Sequence, residues 1–402
     1  MSQKILIIGG GFAGLWSALG AARVLDNNGK SGDVEVTLIS PEPLLHLRPR
    51  LHEQAPHGMT TPLLPVLEAA GVRYIQGSVE RIHAADSCVD VIDARGNRST
   101  IAYDRMVLTT GSKLFRPAVP GIEQHAHAVD QLDEAVKLDI HLARLADLPP
   151  SEERNTVVVV GGGFTGIEVA AEMPERLRKV FGHDAKFNIV MIDRGSEVGA
   201  ELGAGPRPVI TQALDALGVK TVLSTSVTAV DADGVLTSDG QRIKAKTVIW
   251  TGGMRASALT GQVSSQRDQL GRVHVSRDLR VAGNARIFAA GDVALAQTDD
   301  EGNHAMMSCQ HAIDMGRYAG HNVAADLLGM PTLNYDQAFY VTCLDLGAWG
   351  AVYTEGWQRE VKMVGAEAKA LKVKINTQWI HPPLASRSAT LAAADPQRSV
   401  VA

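Results

Sequence analysis

Lys4 Ile5 Leu6 Ile7 Ile8 Gly9 Gly10 Gly11 Phe12 Ala13 Gly14 returns in altered form as Thr156 Val157 Val158 Val159 Val160 Gly161 Gly162 Gly163 Phe164 Thr165 Gly166. Each copy is an apolar run, a glycine triplet and then a helix pattern of small and apolar residues. A continuous apolar run bounded by a turn reads as a buried strand of a parallel sheet. In the turn, the first glycine bends the chain, the second admits a pyrophosphate to the backbone, and the third lets helix and strand pack. The following helix presents unpaired N–H groups and the positive end of its dipole to the phosphates. One such motif is a weak signal. Two copies in the same strand–turn–helix context imply two bound dinucleotides and an α/β fold with two Rossmann-like dinucleotide-binding units.

The chain around each copy supports this reading. After the first turn, a helix from about Gly14 to Leu25 and a polar loop, Asp26–Asp33, lead to the strand Val34–Ser40. An acid usually ends that strand and binds ribose hydroxyls. Here Ser40 holds the position and Glu42 follows two residues on, and the sequence does not choose between them, or neither. The second unit runs through a helix, about Gly166–Phe181, to the strand Phe187–Asp193. Asp193 is the acid the first unit lacks; it suits ribose hydroxyls and repels a 2′-phosphate, so NADH is expected over NADPH. Lys113–Arg154, with four prolines and one helix over Leu132–Ala146, is the crossover between the units.

Several further stretches bear on chemistry. The basic, histidine-rich loop Leu44–Glu53 lacks the spacing of a metal site and reads as a loop that touches a cofactor; no metal is expected. Short alternating strands from Val72 end at the turn Thr109 Thr110 Gly111 Ser112. Ile287–Asp292 brings a carboxylate to a strand end, and a helix follows over Cys309–Leu328. Ala338–Pro383 reads as short strands, the clearest being Leu371–Trp379 with its lysines on one face, and the tail Leu384–Ala402 is expected to fray.

The 402 residues, 45% hydrophobic, suffice for two to three domains. A net charge of −5 with interspersed signs gives no nucleic-acid footprint. Cys88, Cys309 and Cys343 are too far apart in sequence to suggest a disulfide framework. No signal-peptide pattern opens the chain and no apolar run is long enough for a membrane span, so a cytoplasmic location is expected.

Two dinucleotides on one chain make most chemical sense as a flavin beside a nicotinamide, because FAD takes a hydride and then releases electrons singly or in pairs. The residues that carry this reading resemble the two-dinucleotide-binding flavoprotein superfamily, and within it the type II NADH dehydrogenases (NADH:quinone oxidoreductases). The resemblance covers roughly Lys4 to Gly329. It rests on both glycine motifs, on Thr109–Ser112, on Trp250 Thr251 Gly252 Gly253 Met254 Arg255 Ala256 Ser257, which is similar to that group's W-T-A-G-V-R-A-S, and on Ile287–Asp292. It implies a fold of the pyridine nucleotide-disulfide oxidoreductase type. The FAD-binding domain would be discontinuous, 1–115 and 270–329, with an NAD-binding domain over 116–269 and a small α+β domain over 330–402.

By the same resemblance FAD contacts come from Gly9, Gly11, Gly14, Arg48, Pro49, Thr110, Gly111 and Asp292, and nicotinamide contacts from Gly163, Thr165, Gly166, Glu168, Asp193 and Gly253. Phe12, Ala13, Ser40, Glu42, Val79, Gly291 and Gln310 complete the expected cofactor-binding set. Glu168 and Glu172 lie four apart on one helix face. They are the expected catalytic residues, steering the nicotinamide or relaying a proton to the acceptor.

Two departures stand out. No cysteine lies between Ser40 and Leu64, where disulfide reductases of this superfamily carry a redox thiol, so thiol relay is not expected. Against the A-Q-x-A-x-Q of type II enzymes this chain has Cys309 Gln310 His311 Ala312 Ile313 Asp314, and its tail lacks their bulky amphipathic helices. The leading expectation is a small quinone-like acceptor. The rivals are a ferredoxin- or rubredoxin-type carrier docking on Lys362, Lys369, Lys372 and Lys374, and a slow redox-sensing interaction protein. A homodimer through the C-terminal strands is a further expectation.

Overall fold

A computed structural model describes residues 3–398; Met1, Ser2 and residues 399–402 lie outside it. Both apolar runs are central strands of parallel five-stranded sheets. In the first sheet the order is Ile287–Ala289, Arg105–Leu108, Gln3–Ile8, Val34–Ser40, Arg73–Gln76. In the second it is Ala126–His127, Thr247–Trp250, Thr156–Val160, Asn188–Ile192, Val219–Val222. In both, the first strand of the unit has its successor on one side and a later strand on the other. The strand order therefore reverses at the glycine turn, and such a switch point opens a crevice for a ligand.

Burial explains why these runs choose strand. Ile5 and Ile7, and Val157, Val158 and Val159, are fully buried. Side chains on both faces of a strand are buried only when both faces are covered, and here Val157 and Val159 pack against helices while Val158 and Val160 pack against the three-stranded sheet that carries Val227, Val230 and Val235. The first glycine helix, Phe12–Asn27, is buried along almost its whole length because the helix Cys309–Leu327 lies against it. Glycines permit that approach: a Cβ at Gly316 would lie 2.7 Å from the Ala13 carbonyl oxygen, and one at Gly20 2.8 Å from the Arg317 carbonyl oxygen. The two units are tied by a short antiparallel ribbon, Ser112–Leu114 with Met254–Ala256.

The C-terminal region corrects the sequence reading in three places. Val341–Asp345, Ala351–Glu355 and Glu360–Val364 form an antiparallel sheet, but Leu371–Trp379 is not a strand. It belongs to a helix, Gly365–Lys374, continued by a π turn over Ile375–Trp379. Ala368, Lys372 and Asn376 recur at a spacing of four and are all buried, and this tertiary packing overrides the local alternation of apolar and polar residues. Of the four lysines of the expected basic docking face only Lys372 is buried; Lys369 bonds Asp345, Lys362 pairs with Glu360 and Lys374 is exposed. Nor does the tail fray as far as Arg398. Arg387–Ala393 is a helix against the first glycine helix and Leu64–Ala70, fixed by Leu391 and by the Arg387–Asp26 and Arg23–Asp395 ion pairs, both 2.6 Å.

Among the described residues no helix is long and apolar enough to cross a membrane, and no group of His, Cys, Asp or Glu is arranged to hold a metal ion.

Candidate active site

The two glycine turns are built alike. Gly9 and Gly161 have φ of +113° and +114°, a region that side chains disfavour. A Cβ at Gly14 would overlap the Gly9 carbonyl oxygen, and one at Gly166 the Gly161 carbonyl oxygen. A threonine latches each turn. Thr109 Oγ1 donates to the Ile8 carbonyl at 2.7 Å, and Thr251 Oγ1 to the Val160 carbonyl at 3.0 Å. Neither following helix has a side-chain cap from its own N-terminal residue. Their first N–H groups are therefore directed outward for an anion.

Around the first turn the groups fit a dinucleotide that carries a ring system. Nothing lies within 4 Å of a Cβ built at Gly11, so the cradle is open, with Phe12 and Ala13 buried behind it. Thr110 Oγ1 and Gln310 Nε2 are buried without partners, and Gly111 between them and the ribbon takes φ +64°. Arg48, beside Pro49 in a 3-10 turn, reaches Asp130 Oδ1 at 2.5 Å and Asp292 Oδ2 at 3.4 Å, and Ser112 Oγ donates to the same Asp292 oxygen at 2.6 Å. Burial opposes the Arg48 charge, but Asp130 and Asp292 outweigh it and raise its pKa. Gly291, at φ +74°, brings the Asp292 turn against Ala13. At the strand end Ser40 is buried and its hydroxyl is spent on the Glu42 carbonyl, whereas the Glu42 carboxylate is exposed. Val79 sits half-buried on the strand Ser78–His83, packed against the apolar core of the first unit.

Around the second turn Asp193 closes the strand end, accepting from Gly162 N at 2.5 Å and Gly195 N at 2.6 Å. Thr165 lines a small cavity with Asp130, Trp250 and Met254, and Gly253, at φ +83°, accepts from Phe115 N. Gly163, unlike Gly11, is not open: the Glu201 carboxylate stands over it and accepts from Phe164 N at 3.0 Å.

Glu168 and Glu172 share one helix face but differ in environment. Glu168 is 4% exposed and accepts from Lys372 Nζ at 2.8 Å and from Asp345 N at 3.0 Å, with His52 Nδ1 at 3.5 Å from its other oxygen. Lys372 also donates to the Cys343 carbonyl and lies 5.6 Å from the Phe164 ring. Burial works against this ammonium, yet Glu168 holds its pKa above the ordinary lysine value. Glu172 forms no ion pair among the described residues. Burial, with Asp345 nearby, pushes its carboxyl up to about 7, so its proton is exchangeable at neutral pH. Gly347 makes the packing possible, because a Cβ there would overlap the Ala171 carbonyl.

Sequence reasoning missed His52, Asp130, Lys372 and Glu201. His52 was within the loop assigned to a cofactor, and Lys372 was placed on a solvent face. Asp130 and Glu201 carry no local pattern and become visible only through folding. The three cysteines are free; Cys309, at the helix start near Asp292, has its thiol pushed up to about 11 by burial, so it is not a ready thiolate.

The sequence profile of the pyridine nucleotide-disulphide oxidoreductase family matches residues 3–316. An NADH dehydrogenase-like protein of Mycobacterium tuberculosis is 47% identical over 404 residues, covering 98% of each chain. The type II NADH:quinone oxidoreductase of the same organism is 28% identical over 354 residues, covering 81% of this chain and 73% of that protein. Among solved structures, NDH2 of Plasmodium falciparum in complex with NADH superposes with a TM-score of 0.79 at 17% identity, covering 98% of both chains. The twin glycine turns, the extent of the family match and these relatives lead to one conclusion: the chain belongs to the pyridine nucleotide-disulphide oxidoreductase family, as an NAD(P)H oxidoreductase that resembles the NADH dehydrogenases.

Proposed function

We propose that this chain is an FAD-dependent NADH dehydrogenase that delivers electrons to a quinone or a similar small two-electron acceptor. The observation that carries the proposal is the buried group behind the second cradle. Glu168, on the helix that leads from the NADH turn, is met by Lys372 of the C-terminal helix and by His52, and the polar atoms of Thr110 and Gln310 stand unpartnered at the FAD turn. When bound, FAD supplies hydride acceptance and electron release.

The protein's part is binding, orientation and proton supply. Gly9, Gly11 and Gly14 cradle the FAD pyrophosphate. Arg48 and Asp292 would fix the turn beside it, and the unpartnered Gln310 Nε2 would be free to donate to the cofactor. Gly163, Thr165, Gly166 and Gly253 receive the nicotinamide nucleotide. Asp193 carries a negative charge at the ribose end, which favours NADH over NADPH. Glu172, exchangeable near pH 7, supplies the proton that a reduced acceptor takes up, while Glu168, paired with Lys372, orients the bound rings.

The pairing of Lys369 and Lys372 with carboxylates lowers the positive charge this helix offers an acidic protein carrier. The test is anaerobic stopped-flow: the purified protein is mixed with NADH and then with a water-soluble quinone. Fast flavin bleaching followed by fast recovery supports the proposal. Fast bleaching with slow recovery removes the quinone, and no bleaching removes the flavin–nicotinamide pair.

A further inference from the structure

The two cradles are equivalent in backbone but not in content. Over Gly11 there is open space; over Gly163 stands a carboxylate. Glu201 Oε1 accepts from Phe164 N at 3.0 Å and would lie 2.5 Å from a Cβ built at Gly163. That is the ground a pyrophosphate needs, at the N-terminus of an eighteen-residue helix whose own cap residue supplies no side chain. An internal anion therefore occupies the anion site.

The loop that carries Glu201 is held in place at both ends of its short 3-10 turn. Gly199 N donates to the Gly162 carbonyl at 3.2 Å and Leu202 is buried, while the Glu201 side chain itself is exposed. Motion is thus confined to one side chain. A second cation-bearing position lies next to it. Arg359 is 8% exposed, forms no salt bridge among the described residues, and sits over the Tyr340 ring at 5.7 Å. Its carbonyl oxygen would lie 2.6 Å from a Cβ at Gly205, so the Arg359 turn touches the Glu201 loop. Besides burial, the charges of both Arg359 and Glu201 act on the Tyr340 phenol.

We propose that Glu201 is a two-position gate on the NADH cradle: without nucleotide it caps the helix Phe164–Phe181, and with nucleotide it is displaced by the pyrophosphate toward Arg359. The gate rests on the assignment of this cradle to NADH. A carboxylate at a helix N-terminus stabilises that end, and the nucleotide must forfeit this stabilisation to bind, so the gate lowers affinity for any ligand with a pyrophosphate. A ligand without one is indifferent to it. Arg359 works the other way, because it receives the displaced charge.

The experiment is calorimetric titration of the FAD-loaded protein with ADP-ribose, which carries the pyrophosphate but no nicotinamide, and with adenosine, which carries neither. Glu201→Ala is expected to tighten ADP-ribose by roughly 3–10-fold, with adenosine unchanged. Glu201→Gln, which keeps the shape and loses the charge, is expected to fall between the two. Arg359→Met weakens ADP-ribose in the wild type and has no effect in the Glu201→Ala background. Unchanged or weakened ADP-ribose binding in Glu201→Ala, in a protein that keeps its flavin and melting temperature, overturns the gate. If the wild type and all variants fail to bind ADP-ribose, the NADH assignment itself falls, and the gate with it.

Discussion

The Glu168–Lys372 pair joins the helix of the second glycine turn to the C-terminal helix, and it is the contact whose loss should be felt most. The two side chains are 5% and 6% exposed and 2.8 Å apart. Lys372→Met leaves Glu168 charged and buried, with only Asp345 N and His52 to satisfy it. Removing one member of a buried pair costs about 3–5 kcal/mol, which for units of this size lowers the melting temperature by about 6–20 °C. Glu168→Gln strands the ammonium and should cost a similar amount. The double variant removes both charges and should return to within ~1.5 kcal/mol of the wild type, a coupling that only a direct interaction produces. The assay is thermal unfolding of the flavin-loaded proteins, followed by stopped-flow reoxidation of the reduced flavin. Stability is expected to recover in the double variant while reoxidation stays at least ~10-fold slow, because the charged pair that orients the bound rings is gone. Single variants that lose less than ~1 kcal/mol would refute the burial argument. Recovery of reoxidation along with stability would reduce the pair to a structural tie.

Three further outcomes are expected. Gly14→Ala should abolish FAD binding while Gly166→Ala keeps FAD and loses NADH, because each Cβ meets the carbonyl oxygen of its own turn; visible flavin absorbance and NADH titration separate them. Glu172 binds its proton more tightly folded than unfolded, so its contribution falls as pH rises from 4.5 to about 7, by at most ~3 kcal/mol. Glu172→Gln should therefore melt with the wild type at pH 4.5, above it at pH 8, and turn over more slowly with unchanged flavin content. Leu391→Ala, in the tail helix, should cost ~2–4 kcal/mol in thermal unfolding, whereas a fraying tail would lose nothing.

What was legible in the sequence was what repeats locally. Strand, glycine turn and helix are set by residues within about twenty positions of one another, so both units could be read from apolar runs and glycine spacing. The twin threonines Thr109 and Thr251 were within quoted motifs, and folding gives them the same task at both turns. What was not legible depends on partners far along the chain. Glu201 meets Phe164 across 37 residues, Arg48 meets Asp292 across 244, and neither has a spacing rule.

Lys372 is the sharpest case, because a local rule pointed the wrong way. Leu371, Val373, Ile375 and Thr377 alternate with Lys372, Lys374, Asn376 and Gln378, and period two predicts a strand with its lysines in solvent. The same residues read at period four place Ala368, Lys372 and Asn376 on one face, and that face is buried. A lysine is accepted there only because a carboxylate 204 residues earlier waits at hydrogen-bond distance. The buried charge therefore does not contradict the helix. In this placement the Lys372 ammonium meets both the Glu168 carboxylate and the Cys343 carbonyl.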